Sequence, residues 1–228
     1  MLLQIPQVLT SDQVRLARAR LAEASEAWVS GLATAGHQGA AVKRNLQIAE
    51  SSAVAQDLGA LILTALERHP LFISATLPDQ VYPPMFNRYE VGMHFGSHVD
   101  GAIRLHPATG VKLRTDVSAT LFLSAPEEYE GGELMVEDTY GVHSVKLGAG
   151  DLLIYPATSL HQVAPVTRGE RLASFFWVQS LVKDDAQRSL LFDLDTAIQR
   201  LSASAADQVA RTSLTGCYHN LLRMWGQP

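Results

Sequence analysis

Between residues 81 and 179 the chain breaks into short apolar or alternating runs, each closed by a turn signal: Gly131-Gly132, 138–141, 148–151 and 167–170. Such spacing predicts an all-β sandwich or barrel, because period-two strands bury one face and need tight reversals between them. Val117, Ala119, Leu121 and Leu123 alternate with Ser118, Thr120 and Phe122. Residues 134–136 and 142–147 flank the turn at 138–141 as a hairpin, and 152–155 and 171–179 supply two further strands. Gly92 to Gly96 predicts a bend, and residues 102–115, with Pro107 and Gly110, read as a long lid or binding loop.

On both sides of this region the period changes to that of helices. Thr10-Ser11-Asp12-Gln13 has the form of a cap ahead of Val14, Leu16, Ala17 and Leu21, predicting a helix to about Trp28. Gly36-His37-Gln38-Gly39 interrupts the pattern. A second helix begins at Ser51-Ser52, carries Val54, Leu58, Leu61, Ile62 and Leu66 on one stripe, and is ended by His69-Pro70. Beyond Val182, Leu190 or Leu191, with Leu194, Ile198 and Leu201, then Val209, Leu214, Leu221, Leu222 and Trp225, predict two C-terminal helices joined by a Ser/Ala-rich segment. They are expected to pack on the β core or to join copies of the chain as a homo-oligomer. The expected division is a unit of residues 1–180, with its β core at about 80–180, and a helical extension over 181–228.

Several classes are disfavoured by composition. A chain of 228 residues can bury a substantial core without staples. The single cysteine, Cys217, leaves no disulfide framework or thiolate zinc cluster; it reads as a buried small residue in a reducing, cytoplasmic compartment. A net charge of -5 with scattered basic residues gives no footprint for nucleic acid, and no apolar run approaches a membrane span.

The chemistry concentrates on three side chains. His98 and Asp100 flank Val99, so on an extended segment both point the same way and can grip one ion. His161, in a short apolar segment late in the β region, can supply a third ligand, since early and late strands of a closed double sheet are neighbours. Two histidines and one carboxylate on one face of a metal leave the opposite positions open, as in non-haem Fe(II) oxygenases. Arg171 opens an apolar strand and shares a face with Ala173, Phe175 and Trp177, where an unpaired charge is costly. It therefore needs a carboxylate, either internal (Glu133 or Glu170) or that of a small dicarboxylate ligand. His94, His106 and His143 are further candidates for substrate contact, with His94 and Arg104 the better placed beside the ligand pair.

Taken in order, Asn87-Arg88-Tyr89-Glu90-Val91-Gly92, His98-Val99-Asp100, Gly131-Gly132-Glu133-Leu134, Gly148-Ala149-Gly150-Asp151, His161-Gln162-Val163 and Arg171 resemble the Fe(II)/2-oxoglutarate dioxygenases of the prolyl 4-hydroxylase type. The narrower resemblance is to the bacterial PKHD-type hydroxylases, some of them linked to iron uptake. It implies a double-stranded β-helix (jelly roll) core with N- and C-terminal helices. It makes His98, Asp100 and His161 the Fe(II) ligands, assigns Arg171 to the distal carboxylate of 2-oxoglutarate and Tyr89 to a cosubstrate contact, and sets Trp177 in the pocket wall. O2 and 2-oxoglutarate would be consumed and succinate and CO2 released, with ascorbate as an auxiliary and a peptide residue or small metabolite as substrate. One departure stands out: the family commonly carries a tyrosine in the strand holding Leu121 as a second partner for that carboxylate, and Leu121 cannot serve. The rival reading is a cupin-like metal-binding or sensing protein without turnover, which would have no use for Arg171.

Overall fold

The structure is a computed structural model that describes residues 1–34, 41–203 and 207–227; the Gly36–Gly39 interruption and the Ser/Ala joint at 204–206 lie outside them. In chain order its elements are β1 (Leu3–Ile5), α1 (Ser11–Glu23), β2 (Trp28–Ser30), β3 (Lys43–Arg44), β4 (Leu46–Ile48), α2 (Ala53–Leu66), α3 (Pro70–Thr76) and β5 (Pro78–Val81). Then come β6 (Met85–Tyr89), β7 (His94–His98), β8 (Ile103–Leu105), β9 (Lys112–Arg114), β10 (Val117–Phe122), β11 (Tyr129–Gly131) and β12 (Leu134–Asp138). The chain continues through β13 (Gly141–Val145), β14 (Leu152–Pro156), β15 (His161–Val163), β16 (Val166–Gly169) and β17 (Arg171–Ser180) to α4 (Asp185–Ala203) and α5 (Gln208–Trp225).

Two antiparallel sheets face one another as a jelly roll. The larger runs β1-β14-β10-β17-β6-β4-β2, with β5 also on β17; the smaller runs β13-β12-β15-β7-β3. Alternation divides the central strands of the larger sheet between two cores. Leu121, Leu152, Ile154, Leu172, Phe176 and Phe86 pack outward against the buried stripes of α1 (Val14, Ala17, Leu21) and α2 (Leu58, Ile62, Leu66). Tyr89, Phe122, Leu153 and Tyr155 point inward to meet Leu134, Val136 and Val163 of the smaller sheet.

Local chemistry explains the helix limits. Thr10 accepts from the Gln13 backbone N–H, and the Gln13 side chain accepts from Thr10 N–H in return. This helix ends at Glu23 rather than Trp28, because Trp28 is drawn into β2, opposite Ile48. Pro70 stops the second helix as expected, but it also starts a third: it occupies the first turn of α3, where no N–H is needed, and His69 Nδ1 accepts from Phe72 N–H.

Other expectations are corrected. Residues 102–115 are no open loop but a hairpin, with Ile103 opposite Arg114 and Leu105 opposite Lys112. The expected bend is confined to Gly92, at φ +83°, where Met93 N–H donates to Glu90 O at 2.9 Å, and Gly96 lies within β7; a Cβ on Gly96 would sit 2.9 Å from Val42 Cβ, so glycine permits β3 to approach. Cys217 is exposed rather than buried, since α5 buries none of its residues fully. Of the two arrangements expected for the C-terminal helices, packing on their own chain is seen: Tyr218, Leu221, Leu222 and Trp225 gather around Leu77, Val182 and Leu191. Among the described residues no helix is long and apolar enough to cross a membrane.

Candidate metal and cosubstrate site

Strand pairing brings the distant histidines together. His98 closes β7 and His161 opens β15, and the two are direct partners across the antiparallel ladder, with ring centroids 4.2 Å apart. Asp100 follows β7 by two residues, and its Oδ2 accepts from Ser118 Oγ of β10 at 2.6 Å. One potential ligand atom from each of His98, Asp100 and His161 lies within 4.8 Å of the others.

Each imidazole is held by its outer nitrogen. His98 Nδ1 is 2.8 Å from Gly96 O, and His161 Nδ1 is 3.0 Å from Ser159 O. A carbonyl can only accept, so the proton sits on Nδ1 and the Nε2 lone pair is left for an ion. Phe95 stacks on His98 at 3.6 Å, and Tyr155 meets His161 edge-on at 5.0 Å. Burial, then the neighbouring His161, holds the His98 pKa down at about 4, which favours the neutral, ligating form. With three protein ligands only, the arrangement fits a metal with open coordination positions.

Beside the triad is a cavity of about 730 Å³ lined by His98, Asp100, His161, Tyr89, Arg171 and Trp177 among others. Arg171 opens β17 opposite Tyr89 and is 1 % exposed. Its Nε and Nη1 have no hydrogen-bond partner, and its guanidinium carbon lies 5.4 Å from the Tyr89 ring centroid and 5.3 Å from that of Phe122. Neither Glu133 nor Glu170 pairs with it; Glu170 lies 3.7 Å from Arg88 instead. A buried guanidinium with orphaned donors is expensive unless a ligand supplies the anion, and a carboxylate fits its planar fork. Tyr89 is buried too, and burial raises its pKa to about 12, keeping the phenol a hydrogen-bond donor.

The family's tyrosine position is clarified by the pleat. Leu121 faces the helix-side core, so the residue of β10 turned toward Arg171 is Phe122, which cannot hydrogen-bond either. His94 does not line the cavity; its Nδ1 is 3.4 Å from Gly92 O. His106 is engaged in its own turn with the backbone N–H groups of Ala108 and Thr109, and His143 is 2.8 Å from Asp138. Arg104 and Trp177 do line the cavity. Sequence reasoning missed Lys43, Glu50, Ser118, Thr120 and Tyr155. Ser118 and Thr120 were legible as the polar phase of an otherwise apolar strand, whereas Lys43 sits on a two-residue strand with no periodic signal.

Known proteins resemble this chain over both its β core and its C-terminal helices. Residues 84–179 match the model of the 2OG-Fe(II) oxygenase superfamily, and residues 185–227 that of the PKHD-type hydroxylase C-terminal domain. A PKHD-type hydroxylase of Burkholderia ambifaria is 71 % identical over 227 residues, covering 100 % of both chains. Among solved structures, a Pseudomonas putida prolyl-4-hydroxylase superposes with a TM-score of 0.53 at 23 % identity, over 78 % of this chain and 92 % of that one. A Trichoplax adhaerens prolyl hydroxylase gives 0.55 at 14 %, over 83 % and 86 %. At such identities these two speak to the fold alone.

Proposed function

Because the chain belongs to the PKHD-type hydroxylases, and is thus an Fe(II)- and 2-oxoglutarate-dependent oxidoreductase with an unidentified substrate, we propose that His98, Asp100 and His161 hold its iron and Arg171 its 2-oxoglutarate. Iron and 2-oxoglutarate together supply the oxidant that hydroxylates a substrate C–H bond, with O2 consumed and succinate and CO2 released.

The protein's part is to bind, orient and exclude water. Ser118 fixes the Asp100 carboxylate, and the carbonyls of Gly96 and Ser159 fix the two imidazoles, so ligand geometry is set before the ion arrives. Arg171 clasps the far carboxylate of 2-oxoglutarate, and the Tyr89 hydroxyl donates to the cosubstrate. Phe175 and Trp177 continue the Arg171 face of β17 and keep the chamber dry. Residues 1–180 form the catalytic unit and 181–228 its helical extension. A free, exposed Cys217 is compatible with the reducing cytoplasm in which we place the enzyme.

The observation that carries this reading is the pair of orphaned nitrogens on buried Arg171, beside a triad that needs none of them. A cupin-like binder would gain nothing from that charge. The test is anaerobic addition of Fe(II) and then 2-oxoglutarate, followed by the visible charge-transfer band of the chelate. Asp100→Ala should abolish iron retention in equilibrium dialysis. Arg171→Gln should retain iron yet weaken 2-oxoglutarate binding by about tenfold or more. No band in the unaltered protein, or a normal cosubstrate affinity in Arg171→Gln, sinks the assignment.

A further inference from the structure

The cavity extends past the triad and Arg171 to a mouth with its own chemistry. Arg104, on β8, spreads its guanidinium over Trp177 at 4.1 Å and toward Tyr82 at 5.2 Å. This stacking holds the planar fork in place. Arg104 makes no ion pair among the described residues. The Trp177 indole Nε1, a donor with no acceptor capacity, is buried without a partner in the same wall. Lys43 brings a second cation to the lining, its ammonium 5.0 Å from the Phe95 ring centroid and 6.0 Å from that of Phe175.

Neither Arg104 nor the Trp177 indole has a carboxylate partner among the described residues. Among the described residues the cavity lining has two carboxylates, Asp100 and Glu50. Asp100 belongs to the triad, and Glu50 accepts from the Tyr82 hydroxyl at 2.9 Å. Burial, and next the Arg104 charge, pull the Lys43 pKa down to about 8, against opposing pulls from the Asp100 and Glu50 carboxylates. Around the mouth, Val99, Ile103 and Leu105 are 53 %, 55 % and 60 % exposed, so apolar surface adjoins the cationic wall.

We propose that the primary substrate is an organic acid, its carboxylate gripped by the Arg104 fork and the Trp177 indole N–H and its apolar part lying along Val99, Ile103 and Leu105. The inference rests on the reading of the inner cavity as the iron and 2-oxoglutarate site. Arg104 is then a specificity residue: it fixes one end of the substrate and so decides which carbon lies over the triad. A neutral substrate of the same shape would leave the cation and the indole donor unanswered, which is how a polar site rejects an uncharged analogue.

The test uses the full chain loaded with Mn(II) and 2-oxoglutarate under nitrogen, with ligand-observed NMR as the readout. The probes are matched pairs: hexanoate with hexanamide, phenylacetate with phenylacetamide, and N-acetyl-leucine with N-acetyl-leucinamide. At least one carboxylate should bind about tenfold more tightly than its amide. That preference should vanish in Arg104→Gln and shrink in Arg104→Lys, which keeps the charge but loses the fork. Equal binding within every pair, no binding by any carboxylate, displacement of 2-oxoglutarate by the preferred probe, or a preference that survives Arg104→Gln each overturns the proposal. A parallel titration of 2-oxoglutarate into the Mn(II)-loaded protein separates the two levels. Failure there removes the underlying site assignment, whereas normal cosubstrate binding without discrimination between pair members removes only the organic-acid inference.

Discussion

Arg171 depends on a neighbour that has no side chain at all. Gly132 adopts φ +67°, and a Cβ built on it would lie 2.9 Å from Val166 Cγ2 and 3.2 Å from Arg171 Cδ. The glycine makes room for the stem of the arginine as well as for the turn. Gly132→Ala must therefore push against the guanidinium's support while adopting a backbone conformation that costs an alanine roughly 1 kcal/mol. We expect weaker 2-oxoglutarate binding with iron affinity unchanged, measured by separate titrations of metal and cosubstrate. Equal loss of both would mean that the substitution damages the sheet rather than the carboxylate clasp. Gly131-Gly132 was visible in the sequence as a turn; its second role follows from contacts with residues more than thirty positions away.

At the level of elements, β10 and β17 carry the design, since alternation in each assigns one face to the helices and the other to the site. β10 offers Ala119 and Leu121 outward, but Ser118, Thr120 and Phe122 inward. This division was legible because a period of two survives any packing. Short strands without a period were not: β1, β3 and β4 are two or three residues long, and each exists because a longer neighbour offers an open edge. Helix starts were better marked, since a cap is local chemistry. Thr10→Ala removes one half of a reciprocal capping box and should cost about 1 kcal/mol. In a domain of this size that lowers Tm by roughly 2–4 °C, readable by circular dichroism. An unchanged Tm would show that α1 is held by its buried stripe alone.

Across the whole molecule, the C-terminal pair of helices is tied to the body through Leu191, which is 0 % exposed and packs in one cluster with Leu77 and Val182. Leu77 follows α3 with φ 43°, an uncommon conformation for leucine, and its carbonyl accepts from Leu181 N–H at 2.8 Å. The segment joining β17 to α4 thus locks onto the end of α3. Leu191→Ala should destabilise the protein by about 2–5 kcal/mol, and urea unfolding should remain a single transition shared by tryptophan fluorescence and far-UV circular dichroism. Two separated transitions would instead make the helical extension an independently folding unit.

By itself the sequence determined the β architecture and the helical ends, and it singled out the ordered motifs and an arginine on an apolar strand face, because periodicity, caps and strand alternation are written in neighbouring residues. Tertiary structure decided what depends on contact between distant segments. The pairing of β7 with β15 sets His98 opposite His161, and the pleat of β10 turns Phe122 rather than Leu121 toward Arg171. Pairing also converted an apparent loop into the hairpin that brings Arg104 over Trp177. Sequence spacing within one strand can say which side chains share a face, but only strand pairing says what that face meets.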